Sequence, residues 1–249
     1  MDAQRLNPLE CDLEYDVAAL TREVTRARAF QDFERGAYGH SISLPAAAQL
    51  DPLARKHHNN LPFADVLDRC PYLAEVLAGF EAPKMSYRLL RRAAHTAYAL
   101  HDDKDKGAHI VRLQIPIVTN ERSFLFLPAD ELDLGVFEPF VRAANAETEL
   151  PFDLETLRRL CGSELRLFRL RPGRLYYFDT DRIHTLLNAG DQDRITLSID
   201  LIRNDWLHAW MGEHFTRELE PCASEGTDPI RWNWNALRHG VIRNEPRHD

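Results

Sequence analysis

The pattern of apolar and polar positions changes character about a third of the way along the chain. Residues 17–28 carry apolar side chains at helical spacing. Residues 61–80 do the same through Phe63, Val66, Leu67, Leu73, Val76 and Leu77, with Pro71 as a break. From Met85 onward the apolar runs become short and rich in β-branched and aliphatic residues: 86–90, Ile110–Val118, 123–127, 165–170, 175–178 and Arg194–Ile202. Turn signals lie between them, notably Arg171-Pro172-Gly173 and Asn188-Ala189-Gly190-Asp191. Helical spacing returns at 154–160 and 206–219. Many short strands preceded by helices predict a β-sandwich or barrel buttressed by helices. No linker, repeat or low-complexity run divides the chain, so one domain is expected over 1–249, mainly helical over 1–84.

Two strands have a legible second face. In Arg194–Ile202, Arg194, Thr196, Ser198 and Asp200 alternate with apolar residues, and in Ile110–Val118, Arg112 and Gln114 oppose Leu113, Ile115 and Ile117. Successive side chains on a strand point to opposite faces, so each polar set shares one. That face is either a wet outer surface or, in a barrel wide enough for a ligand, the lining of a cavity.

Composition narrows the partners. With 249 residues, 44% hydrophobic and 28% charged, the chain is long enough to bury a sizeable core. Lys plus Arg at 31 against Asp plus Glu at 39 gives a net charge of −8, without the basic footprint of a non-specific nucleic-acid binder. A small anionic ligand remains compatible, because a few buried arginines can make a positive pocket inside an acidic shell. No apolar stretch approaches the roughly 20 residues of a spanning helix. The first residues, MDAQRLNPLECDLEYD, are acidic where a secretory signal would be basic and then apolar, so a cytoplasmic protein is expected. Cys11, Cys70, Cys161 and Cys222 lie far apart without metal-ligand spacing and are expected as free thiols in or near the core.

The 11 histidines matter only through their arrangement. His101 and Asp103, two residues apart after a strand-like stretch, can both turn inward and supply two ligands to one metal. His184 ends the run from Leu175, and Arg194 opens the next strand. Two His and one carboxylate on one face of a metal is the non-haem Fe(II) arrangement, and an arginine beyond it offers a planar donor fork to a remote carboxylate. About one H-x-D is expected by chance from this composition, so order and context carry the signal. His57, His58, His208 and His214 have no carboxylate at useful spacing and read as surface or packing residues, and Asp102, Lys104, Asp105 and Lys106 as a solvated loop. No phosphate-binding loop, dinucleotide fingerprint, nucleophile elbow or H-E-x-x-H occurs.

An ordered series of motifs resembles a known family. It runs through Asp32-Phe33 with Gly36 and Tyr38, Pro71-Tyr72-Leu73-Ala74-Glu75-Val76, His101-x-Asp103 and Ile110-Val111-Arg112-Leu113-Gln114. It continues through Arg171-Pro172-Gly173-Arg174-Leu175-Tyr176-Tyr177-Phe178-Asp179, His184 and Arg194 to Ser198-Ile199-Asp200. Over about residues 30–205 the chain resembles the Fe(II)/2-oxoglutarate-dependent oxygenases of the aspartyl/asparaginyl β-hydroxylase family, most of all the bacterial free-proline hydroxylases.

The resemblance implies a mainly β fold with flanking helices and a double-stranded β-helix (jelly-roll, cupin-like) core over 85–205, followed by a helical C-terminal part over 206–249. It implies Fe(II) held by His101, Asp103 and His184, with 2-oxoglutarate and O2 as co-substrates. Arg194 would meet the distal carboxylate of 2-oxoglutarate, and Arg112, Gln114 and Ser198 would line the same co-substrate region. Gln114 stands where the family's R-x-H strand has histidine, and an amide cannot become cationic. An insertion at about 120–164 and a shorter segment after Asp205 fall where substrate recognition can differ. The expected activity is hydroxylation of a small amino acid or amino-acid-derived substrate in natural-product biosynthesis, with release of succinate and CO2. The alternatives are a peptide- or carrier-bound residue as substrate, or a non-catalytic β-helix protein that binds a ligand. The expected partner is a small molecule, with no nucleic acid and no membrane; self-association is left open, with the Trp-bearing stretch 206–215, Trp232 and Trp234 expected to pack on the sheet, cover the pocket or meet another subunit.

Overall fold

The first helix, α1 (Val17–Phe30), starts where Asp16, in extended backbone, accepts a hydrogen bond from the Ala19 N–H at 3.0 Å, satisfying one of the donors a helix start leaves over. Its Leu20, Val24 and Ala27 form the stripe it buries. α2 (Pro71–Ala78) begins on Pro71, whose missing N–H costs nothing at a first helical position. α3 (Leu154–Cys161) is capped by Asp153, and α4 (Asp205–His214) by Asn204. The computed structural model describes residues 7–36, 39–44, 66–98, 100–103, 109–139, 150–223 and 226–232. The expected helical stretch before Val66, His57 and His58, Lys104 to Lys106, and Trp234 lie outside them.

The strands are β1 (Leu9–Glu14), β2 (Glu34–Gly36), β3 (Gly39–Ser43), β4 (Lys84–Arg92), β5 (Thr96–Ala97), β6 (Ile110–Val118) and β7 (Ser123–Phe126). They continue with β8 (Leu150–Phe152), β9 (Leu167–Phe168), β10 (Arg174–Tyr177), β11 (Thr185–Asn188), β12 (Arg194–Ile202), β13 (Arg217–Glu218) and β14 (Ile230–Trp232). They form two sheets, a large one in the order β13-β1-β10-β6-β12-β4-β3-β2 and a smaller one in the order β8-β14-β5-β11-β7-β9. Two quartets stand at the centre, β10-β6-β12-β4 and β5-β11-β7-β9, and the chain changes from one to the other at every step from β4 to β7 and again at every step from β9 to β12. That alternation is the topology of a double-stranded β-helix, or jelly roll.

The two faces of the large sheet differ. Leu113, Ile115 and Ile117 of β6 and Ile195, Leu197, Ile199 and Leu201 of β12 pack with the buried stripes of α1, α2 and α4. Trp206 and Trp210 also pack against this cluster, and Trp210 meets Phe80 edge-on. The other face looks toward the small sheet, where Tyr176 and Phe178 join Leu125, Leu127 and Phe168 in a second apolar cluster. A third cluster lies under α3, built on Phe124, Phe126, Leu157 and Leu187.

The turn between β9 and β10 requires its glycine. Gly173 has φ +73, and a Cβ there would lie 2.7 Å from the Tyr15 carbonyl oxygen. The Tyr15 N–H donates to the Gly173 carbonyl at 2.8 Å, so the turn is stitched to the chain entering α1.

Two expectations are corrected, and one is extended. The first 84 residues supply, besides α1 and α2, the strands β1, β2 and β3 to the large sheet. In β1, Glu10 sits among buried positions because it accepts from the Tyr176 hydroxyl at 2.9 Å and pairs with Arg171, which hides the strand from a pattern search. The helix expected over 206–219 ends at His214 and gives way to β13. Of the strand expected over 165–170 only Leu167–Phe168 pairs. The four cysteines are free and three are buried, as expected. No helix among the described residues is long and apolar enough to cross a membrane.

Candidate metal and anion site

β5 and β11 run antiparallel, with Thr96 opposite Asn188 and Ala97 opposite Leu187. The ladder resumes at His101 and His184, which exchange both backbone hydrogen bonds, at 3.1 and 2.9 Å. From Ala97–Leu187 to His101–His184 the β5 side advances one residue more than the β11 side, so the pairing resumes in a shifted register. Directly opposed residues in an antiparallel pair present side chains on the same face, so the two imidazoles lie side by side with ring centroids 4.3 Å apart. Asp103, two residues on, is anchored by its N–H to the Thr180 carbonyl at 2.8 Å. One ligand atom from each of His101, Asp103 and His184 lies within 4.8 Å of the others.

The surroundings set the state of His184. Its Nδ1 lies 2.8 Å from the Arg182 carbonyl, an acceptor only, so Nδ1 carries the proton and Nε2 keeps its lone pair. Burial, and then the neighbouring His101, push its pKa down to about 3, so the ring is neutral near pH 7. Phe178 packs edge-on against His184, and Tyr98 edge-on against His101. Two imidazoles and a carboxylate form a borderline donor set that suits a divalent first-row metal such as Fe(II).

The polar residues of β12 and β6 line the inner face, and they are buried: Arg194 is 2% exposed, Ser198 1%, Gln114 3% and Asp200 2%. Of the two readings of this face, a wet outer surface is excluded by that burial. Across the ladders Asp200 lies opposite Arg112 and Ser86, Ser198 opposite Gln114 and Arg88, and Arg194 opposite Arg92. Tyr176 of β10 lies opposite Gln114.

Arg112, expected near a small-molecule carboxylate, meets two of the protein's own. Its Nε and Nη2 donate to Asp200 at 2.6 and 2.9 Å, and its Nη1 donates to Asp103. Arg194 is in the opposite condition. Its Nη2 is buried without a hydrogen-bond partner, and so are Gln114 Oε1, Ser198 Oγ and Thr196 Oγ1. Burial, and then the charge of Arg92, lower the Arg194 pKa to about 10, so it stays cationic at neutral pH.

The pattern over 86–90 marked a strand, but the polar face of β4 and the part Asp200 plays were not read from it. The signal was present: Ser86, Arg88 and Arg92 alternate with Met85, Tyr87 and Leu89, the same period that marked β12. His214, read as a surface or packing residue, meets the Asp12 carboxylate at 2.9 Å, a pairing between residues some 200 positions apart.

No family model matches the chain, and no curated protein matches it. Solved structures with similar backbones include an oxidoreductase of the 2OG-Fe(II) oxygenase family from Burkholderia pseudomallei, at TM-score 0.46 and 10% identity, covering 81% of this chain and 87% of that one. Another is the non-haem α-ketoglutarate-dependent epimerase SnoN from nogalamycin biosynthesis, at TM-score 0.45 and 17% identity, covering 89% and 90%. A third is EctD from S. alaskensis with 2-oxoglutarate and 5-hydroxyectoine, at TM-score 0.43 and 13% identity, covering 81% and 76%. Similarity at this level leaves the chemistry of this chain to be read from its own residues.

Proposed function

We propose that this chain is an Fe(II)- and 2-oxoglutarate-dependent dioxygenase that hydroxylates an unactivated C–H bond of a small amino acid or amino-acid-derived substrate in the cytoplasm. One observation carries the reading: a cluster of His101, Asp103 and His184, the last two buried, occurs together with a buried arginine on the inner face of the large sheet whose Nη2 has no partner. The cluster fits a divalent metal and the arginine fits a carboxylate, so together they call for a metal-chelating dicarboxylate. The resemblance to free-proline hydroxylases supports an amino-acid substrate, and the insertion at about 120–164, where substrate recognition can differ, argues against proline itself.

The residues divide the work. His101, Asp103 and His184 hold the iron, with His184 presenting Nε2 because its Nδ1–H is spent on the Arg182 carbonyl. Arg194 binds the distal carboxylate of 2-oxoglutarate, and Ser198 and Gln114, whose oxygens are likewise unpaired, orient the co-substrate. Tyr98 and Phe178 wall the histidines with aromatic surface and keep water from them. The bound iron and 2-oxoglutarate supply the oxidising chemistry: O2 and 2-oxoglutarate are consumed, CO2 and succinate are released, and one oxygen atom enters the substrate C–H bond.

Anaerobic addition of Fe(II) and 2-oxoglutarate tests this directly. The parent protein is expected to develop a weak visible charge-transfer band and His184→Ala is expected to lose it, after which succinate release across an amino-acid panel identifies the substrate. Absence of the band in protein shown to contain iron would overturn the reading in favour of a ligand-binding β-helix protein.

A further inference from the structure

We infer that Asp200 and Arg112 form a neutral buried pair whose task is to position the Asp103 carboxylate for the metal, which makes both of them positioning residues. The inference rests on the metal reading above and assigns Arg112 to the protein's own ligand, where the sequence assigned it to a small-molecule carboxylate.

Three adjacent strands supply one row. Ser86 of β4 and Arg112 of β6 flank Asp200 of β12 in direct register. Ser86 Oγ donates to Asp200 Oδ2 at 3.1 Å, Arg112 donates to both Asp200 oxygens, and the third arm of the guanidinium reaches Oδ2 of Asp103. The side chains of Arg112, Asp103 and Asp200 are 8%, 9% and 3% exposed, so the contacts are held in a medium that screens them poorly. The planar fork fixes where Nη1 points, and holding one oxygen of Asp103 restricts rotation of its carboxylate. Asp103 follows β5 at the margin of the small sheet, so the guanidinium bridges the sheets to hold the one ligand that is outside a ladder.

A guanidinium beside a dication would by itself oppose metal binding. Asp200 cancels that charge, so Asp103 keeps its full negative charge for the metal and receives only direction from Arg112. A pair serving only to join strands would have no need of the third contact.

Co(II) titration, read by visible absorption, tests the assignment in the full chain without turnover. Asp200→Asn leaves an uncancelled guanidinium next to the metal and is expected to weaken Co(II) binding about 10–100-fold. The double variant Asp200→Asn/Arg112→Gln removes that charge and is expected to recover part of the loss, a coupling a merely structural pair would not produce. Folding of each variant is checked by circular dichroism. If Asp200→Asn fails to fold, Arg112→Lys carries the test: it keeps the charge, loses the fork, and is expected to lose about 10-fold. Folded variants that bind Co(II) within about threefold of the parent would overturn the positioning role. If parent and His184→Ala instead bind Co(II) equally, the metal reading itself fails, and the pair falls with it.

Discussion

At one end of the inner face of the large sheet Arg112 is held by two carboxylates; at the other Arg194 is more deeply buried and its Nη2 has no partner. The two arginines stand on neighbouring strands of one sheet and face the same interior. Stability explains the first arrangement. It does not explain the second, because a buried charge without a counter-charge costs several kcal/mol unless something outside the chain supplies one. The end whose polarity is closed by protein groups serves Asp103, the proposed metal ligand. The end whose polarity is left open is suited to a ligand that comes and goes.

The largest break in this contrast is at the proposed metal cluster, which both ends would serve. Asp103→Ala or His184→Ala is expected to abolish 2-oxoglutarate turnover, measured as succinate release, and removing the metal with a chelator is expected to do the same reversibly. Turnover at the parent rate in both variants would mean that these residues do not form the site.

The next effect separates the two arginines in the protein without ligands. Arg112→Met leaves Asp103 and Asp200 buried without their counter-charge and is expected to cost about 3–5 kcal/mol in urea unfolding. Arg194→Met removes a charge with no such partner, so unfolding stability is expected to stay level or rise. Its cost falls on binding: 2-oxoglutarate affinity is expected to drop by about 2–5 kcal/mol, at least about 30-fold. Equal destabilisation by both substitutions would erase the distinction between a closed end and an open one.

The strands of this contrast were legible in sequence, and its pairing was not. Ile110–Val118 and Arg194–Ile202 have the observed bounds because both faces follow a period of two, and His101, Asp103, His184 and Arg194 stood out by order. The partner of Arg112 could not be read, since Asp200 comes 88 residues later and only strand register brings them together. β5, two residues long, is set by its neighbours rather than by its own pattern. β1 was masked by Glu10, a buried carboxylate whose partners Tyr176 and Arg171 lie far along the chain. Periodicity reports which face a residue occupies; it does not report what stands opposite.

Gln114 allows the smallest test. It lies between Ser198 and Tyr176 in the ladders, its Oε1 is buried and unpartnered, and it belongs to the open end. Gln114→His keeps a similar volume, so the fold is expected to persist. The introduced imidazole titrates from a reference pKa of about 6.5. Below that pH it would add a positive charge beside the distal carboxylate of 2-oxoglutarate, and above it only a neutral hydrogen-bonding group. The ratio of variant to parent affinity for 2-oxoglutarate is therefore expected to rise as pH falls through that region and to level off above it. A nearby Arg194 charge resists protonation while the site is empty, and a bound carboxylate favours it, so the rise is expected to be carried by proton uptake on binding. Affinity ratios that do not change between about pH 5.5 and 8, together with an unchanged substrate profile, would remove Gln114 from the open end and leave Arg194 and Ser198 to define it.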